Sequence, residues 1–345
     1  MSQSLPYATA DLPGVAALFK AVPEDFRVDE IAAYLPSGEG EHLFLRVEKR
    51  GRDTREVAEE LARALGKSPR DVGVAGQKDR QAVTTQWMSL AGADATRALG
   101  LTGDGWRVLE AKRHGNKLRT GHLRGNAFRV VLRGVDGEGD ARARAVAAAL
   151  ETRGLPNFYG SQRFGRRGDN AEVGRLLLLG TDDPRVSKAR RDPKLRRFLV
   201  SAFQSEVFNL VLAERLRDGS WDRPMSGDVL QKLGSGGLFV CEDPAADPSR
   251  VASFECSITG PMPGSRVRPE PRGEAAALEE RVLAARGVGI EHLARSRDAE
   301  GARRALRLPV RISLEQEGDA LALCFELPPG AYATAVIREI TKRDG

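Results

Sequence analysis

The chain is expected to fold as an α+β protein with more than one compact part, and three observations carry that expectation. Its 345 residues exceed what a single hydrophobic core usually supports, so two domains, or one with a large insertion, are expected. Alternating stretches of β-forming residues fill the first third of the sequence and return near its end, with helical patterns between them. Composition then shifts at Gly154, where LPNFYGSQRFGRRGDN crowds glycine, aromatics and arginine, and a new domain is expected to start there.

Residues 26–35 read as a strand, and 42–49 as another after the turn-like SGEGE, so the two together suggest a hairpin. Asp53 opens DTRE, a helix-capping pattern. Val57, Leu61 and Leu65 then mark one apolar face before Gly66 stops the helix. A strand around Val72 and Val74 leads into a charged loop, and 82–90 alternates as a strand, so Asp79 lies between two strands. Residues 126–135 form a further strand, and the Ala-rich 141–152 a helix. Past Gly154, Ser201 and Gln204 open a helix over 201–216 that buries Phe203, Val207, Leu210 and Val211 on one side. LGSGGLFV reads as a hairpin turn and 268–274 as a connector. Two helical stretches run to about Leu306, and a last hairpin has strands around 310–314 and 320–327.

Composition narrows the function. A hydrophobic fraction of 41% and a charged fraction of 30% fit a folded protein with a highly charged surface. No membrane span is readable, and the first residues lack the basic start and apolar run of a secretory signal, so a cytoplasmic protein is expected. Cys241, Cys256 and Cys324 are scattered and read as packed thiols of a reducing compartment. His42, His114, His122 and His292 show no metal-ligand spacing, so no metal is expected. Walker A, G-x-G-x-x-G and G-x-S-x-G patterns are missing, which leaves acid, base or nucleophilic work by carboxylates. The net charge is +6, and it is clustered. Residues 107–133 hold eight Lys or Arg against the single acid Glu110, and further basic runs lie at 185–197 and 162–167. With Asn, His and aromatics interleaved, these runs point to a nucleic-acid partner; the plain alternative is a solvated arginine-rich surface.

Within AGQKDRQAV, residues 75–83, Asp79 stands between Lys78 and Arg80. Flanking cations hold a carboxylate ionised and draw the loop towards a polyanion. A solvated turn of mixed charge has the same local sequence.

Eight ordered blocks decide between these. FKAVPEDFRVDEI, GEGEHLFLRVEKRGRDT, AGQKDRQAVTTQW, GNAF, PNFYGSQRFG, SAFQSEVFN, ITGPMPG and LPPGAYATAVIREI resemble the TruD family of tRNA pseudouridine synthases, over nearly the whole chain. Departures are the aromatic order in NFYG, Ala331 where serine is frequent, and a proline in PMPG. The resemblance implies a cofactor-free isomerase whose partner is tRNA, with no membrane and no obligate protein partner, and which converts a uridine, at position 13 in characterised members, to pseudouridine. It implies a catalytic domain with a mainly antiparallel sheet, 1–153 and 302–345, around an inserted α/β domain at 154–301. Asp79 matches the catalytic carboxylate, acting as nucleophile at the anomeric carbon or as base towards the sugar. Phe26, Asn126 and Tyr332 match residues that contact the target nucleotide, where their own local readings are core, turn or strand start, and core with a polar tip. Lys20 and Phe128 are candidates for the basic residue and aromatic ring beside the Asp, and Lys78 or Arg80 could equally be the basic partner. An RNA chaperone would not need Asp79. A glycosidase would need a second carboxylate, for which Glu24, Asp25, Asp29 and Glu30 are available.

Overall fold

The computed structural model describes residues 4–343; residues 1–3 and 344–345, the ends of the expected catalytic segments, lie outside the described residues. The architecture is α+β, and the chain divides into two compact units. One comprises Val15–Arg144 and Val310–Ala331; the other comprises the chain up to Gly14, Ala145–Pro309, and the residues from Tyr332 on.

The first unit is built on a ten-stranded sheet. Its long strands are β1 (Phe26–Ala32), β2 (His42–Arg50), β3 (Val83–Ala91), β4 (Trp106–His114), β5 (Leu123–Arg133), β6 (Ile312–Glu317) and β7 (Ala320–Leu327). They run in the order β6-β7-β5-β1-β3-β2-β4. Every pairing among them is antiparallel except β1 with β3. The expected hairpin of the first two strands does not form, because β3 lies between them. Every residue of β3 but the last is buried, and a strand covered on both faces belongs at the centre of a sheet, with neighbours on both edges.

Helix α1 (Thr54–Ala64) covers one face of the sheet: Val57 and Leu61 pack with Leu43, Leu45, Val47, Met88 and Leu90. Asp53 caps it by accepting from the Arg55 N–H, and Gly66 follows with φ +68°. On the other face Phe44, Trp87, Ala75 and Leu118 form a second cluster. The β4 strand escapes prediction because its residues read as a basic run, yet Trp106 and Val108 point into the core between exposed Arg107 and Leu109. The closing β6–β7 hairpin forms as expected.

The second unit is centred on α2 (Pro193–Arg217), whose buried side joins two cores: Phe203, Val207 and Val211 meet Leu278 and Val282, while Phe208 and Leu212 meet Cys256 and Ile258. Leu210 is half-buried. The helix starts well before the expected Ser201, because the Asp192 carboxylate caps Lys194 and Leu195 and Pro193 fits the first turn. A four-stranded sheet runs in the order Leu238–Val240, Val229–Lys232, Cys256–Met262, Ala302–Ala305. Residues 302–305, expected to be helical, are therefore a strand whose ladder to Cys256–Met262 crosses the expected edge at 301/302. Leu155–Pro156 likewise pairs with Arg307–Leu308. A final helix, α3 (Ala333–Thr341), was not apparent from the sequence. Cys241 and Cys256 are buried free thiols and Cys324 is partly buried.

Candidate active site

The loop carrying Asp79 runs from the two-residue strand Gly73–Val74 to β3 and is tied down from below. Polar residues of the buried β3 do part of this work. Gln86 Nε2 donates to Gly76 O at 3.3 Å, Thr54 Oγ1 donates to Gln86 Oε1 at 3.0 Å, and the Lys78 N–H donates to Thr54 Oγ1 at 3.1 Å. Lys49, on β2 and only 1% exposed, reaches up from the sheet: its Nζ donates to Asp79 O and Arg52 O, each at 2.8 Å, and lies 3.5 Å from Lys78 O. Burial drags the pKa of this ammonium down to about 8, against the opposing pull of Asp53 and Asp79. The Asp79 carboxylate is oriented by its own loop, since Oδ1 accepts from the Gln81 N–H at 3.0 Å.

Of the cations open as partners of Asp79, Lys20 makes the contact, with Nζ 2.6 Å from Oδ2 and side-chain exposures of 16% and 23%. Lys20 follows the short strand Leu18–Phe19, which pairs with β5, and adopts φ 58°, a left-handed conformation uncommon outside glycine. Its ammonium also sits 4.0 Å above the Phe26 ring, which in turn touches Phe128 with centroids 6.1 Å apart. Lys78 turns away to Glu30, at 2.8 Å in a pair that is almost wholly buried, and the exposed Arg80 lies 3.7 Å from Glu56. The carboxylates a glycosidase would draw on are mostly engaged: Glu24 with Arg50, Asp25 with Arg133, Glu30 with Lys78. Asn126, on β5, has a buried Oδ1 that finds no hydrogen-bond donor among the described residues. The first unit thus gathers Asp79, Lys20, Phe26 and Phe128. It leaves Asn126 with an unused acceptor.

A carboxylate on a braced loop, with one ammonium on it and another beneath, suits covalent or proton-transfer chemistry on a polyanion. The family described as tRNA pseudouridine synthase D (TruD) matches residues 4–188 and 181–340. The chain belongs to the TruD family. A tRNA pseudouridine synthase D from Anaeromyxobacter dehalogenans is 54% identical over 341 residues, covering 99% of this chain and 97% of that protein. Its counterpart in Thermus thermophilus is 44% identical over 340 residues, covering 98% and 92%. In three dimensions the chain resembles a Methanosarcina mazei protein described as a TruD tRNA pseudouridine synthase, with a TM-score of 0.79, 24% identity, and coverage of 98% of this chain and 96% of that one.

In this TruD-family chain, Tyr332 belongs to the second unit, at the start of α3. Its ring meets Tyr159 edge-on at 5.8 Å, and burial raises its hydroxyl pKa, so the phenol stays neutral. The Arg304 guanidinium lies 4.3 Å from the Tyr159 ring on one side, and Arg163 lies 5.7 Å from it. Arg163 is itself held by Ser201 Oγ at 2.7 Å and Ser205 Oγ at 3.0 Å. Sequence reading missed Lys49 and Arg304. Lys49 ends a strand read for its apolar alternation, where the only signal was a cation at a position that alternation assigns to the interior; Arg304 falls in a stretch expected to be helical, which is a strand in the fold. Among the described residues no group of His, Cys, Asp and Glu is placed to hold a metal ion, and no helix is long and apolar enough to cross a membrane.

Proposed function

We infer that this chain isomerises a uridine of tRNA, at position 13, to pseudouridine, with Asp79 as the catalytic carboxylate and no cofactor. The observation that carries the reading is the 2.6 Å contact between Lys20 and Asp79 on a loop braced by Lys49, in a chain of this family. The isomerisation breaks the bond from the ribose anomeric carbon to uracil N1, turns the base, and joins its C5 to the same carbon; C5 then gives up its proton and the freed N1 gains one. Nothing is gained or lost overall, so a single carboxylate suffices. As a nucleophile it would attack the anomeric carbon, and as a base it would take a sugar proton while the bond opens. Lys20, 2.6 Å away, would balance its negative charge in either case.

We assign Asn126 to an N–H or O–H of the target nucleotide, a role its buried acceptor, which has no donor among the described residues, supports. Phe26 and Phe128 would form the apolar floor. Tyr332 offers a neutral phenol and a ring for an unstacked base. The division into a catalytic domain, 1–153 and 302–345, around an inserted domain, 154–301, belongs to the same proposal, as does a cytoplasmic location.

The test is to incubate the protein with unmodified tRNA transcripts and map pseudouridine by carbodiimide-dependent reverse-transcription stops. A new stop at position 13 is expected, and none with Asp79→Asn. Modification by Asp79→Asn at the wild-type rate would remove this carboxylate from the mechanism.

A further inference from the structure

Apart from Asp79 and its neighbours, the sheet unit contains an open cavity of about 660 Å³, lined by Tyr34, His42, His114, Asn116, Lys117, Arg119 and His122 together with Gly115. That volume falls within the range of about 300–1,000 Å³ usual for small-ligand sites. Three of the four histidines of the chain meet here. The topology brings them together: His42 opens β2 and is paired directly across the ladder with His114, the last residue of β4, while His122 ends the loop that returns to β5.

The lining has two kinds of chemistry. One is a set of flat rings. Tyr34, 37% exposed, stacks on His114 with centroids 5.1 Å apart, and its hydroxyl is hydrogen-bonded to His122 Nδ1 at 2.8 Å. The other is positive charge from Lys117 and Arg119, with no acid in the lining. His114 Nδ1 accepts from the Ser37 N–H at 3.3 Å, which places the proton of the neutral ring on Nε2. His42 Nδ1 is buried and finds no partner among the described residues. The loop is fixed at its ends, where the Leu118 N–H donates to Ser89 Oγ at 2.9 Å and the Gly121 N–H to Ala75 O at 2.8 Å. Ala75 begins the Asp79 segment, so this loop and the catalytic loop hang from the same stretch of chain.

We propose that the cavity is a second RNA subsite, which takes one unstacked nucleobase on the Tyr34–His114 stack and its phosphate on Lys117 and Arg119. Rings and cations without an acid are what single-stranded RNA recognition uses. The proposal rests on the tRNA reading above and adds a contact away from the isomerised base, which would set the register of the RNA on the sheet unit.

The test uses the full-length protein with ¹³C-labelled histidine, whose only signals come from His42, His114, His122 and His292. Titration with adenosine 5′-monophosphate is expected to shift His114 and His122 saturably and to leave His292, in the other unit, unmoved. Equal shifts with inorganic phosphate would reduce the cavity to an anion site and overturn the proposal. Tyr34→Ala is expected to raise the Kd for tRNA by about five- to a hundredfold, the range of one lost base stack, with kcat/KM falling in step. The double variant Lys117→Ala/Arg119→Ala, on a surface loop, should raise Kd and flatten its salt dependence without altering the thermal melt. If the wild type modifies tRNA and both variants keep its Kd, the subsite is wrong and the proposed function stands. If nucleotide binds in the cavity but tRNA is not modified, the proposed function fails instead.

Discussion

In the sheet unit the cations around the Asp79 loop are lysines: Lys20 on a carboxylate, Lys49 on three backbone carbonyl groups, Lys78 on Glu30. In the other unit the cations beside Tyr159 are arginines laid against rings and hydroxyls: Arg304 over Tyr159 and Phe208, and Arg163 between Tyr159, Phe198 and two serines. The ammonium is a compact point charge whose pKa moves with its surroundings, and burial takes Lys49 to about 8. Burial lowers Arg304 too, but a guanidinium starts so high that it stays a cation. Lysines around Asp79 can tune charge during a reaction; arginines stacked on aromatics can hold a nucleotide but not exchange a proton with it. On the proposed function, chemistry would fall to the lysine cluster and the arginine cluster would be left to grip.

The largest effect should come from Asp79→Asn, with tRNA affinity kept and turnover reduced by at least about a thousandfold, as expected for an acid–base or nucleophilic group. Single-turnover assays on transcripts would show it, and a loss confined to Kd would move Asp79 to the gripping side.

Lys49→Met removes the donor beneath the loop and leaves buried carbonyl acceptors unsatisfied, at about 1–3 kcal/mol of stability. Turnover should fall with it, and Lys49→Arg should not restore it. The wild type offers a check by pH. The folded value near 8 lies below the ordinary lysine value of 10.5, so between these the folded state binds fewer protons than the unfolded one. Linkage then makes this lysine's contribution to stability rise with pH across that window. The amine has meanwhile lost a donor, and turnover should decline as pH passes about 8. Melting curves and initial rates at matched pH would show the two moving in opposite directions.

Tyr332→Ala should lower kcat/KM by about five- to a hundredfold, the range for one stacking face. Phe26→Ala should do the same but also cost about 3–5 kcal/mol of stability, because this ring is only 4% exposed. Denaturant titrations beside kinetics separate the two residues. Smallest is Arg124→Glu, on the exposed face of β5, expected to make the salt dependence of tRNA binding shallower by about 0.7–0.9 for each phosphate that the side chain no longer neutralises.

Local signals in the chain were strong wherever one residue type answers one local demand. Asp53 and Gly66 bound α1 because an N-cap acceptor and a left-handed stop act within a turn, and the β6–β7 hairpin follows from alternation on either side of a tight turn. Asp79 could be singled out by its flanking charges and by the resemblance. What such signals do not encode is which strands become neighbours. Strand β3 parts β1 from β2 because it is the strand most in need of cover on both faces, and that need is met only by the whole sheet. Lys20 lies 59 positions before the carboxylate it touches, and Lys49 thirty before the carbonyl it holds. Alternation puts Lys49 inside and leaves Lys20 unplaced, but neither position names its partner until folding brings the loop over it. The three histidines of the cavity, too far apart in sequence to form a motif, meet because β2 and β4 are paired in one register and a loop returns beside them. Capping, alternation and turn chemistry act over a few residues and can be read along the chain; pairing, burial and the partners of buried charges depend on long-range packing, which settles only when the sheet closes.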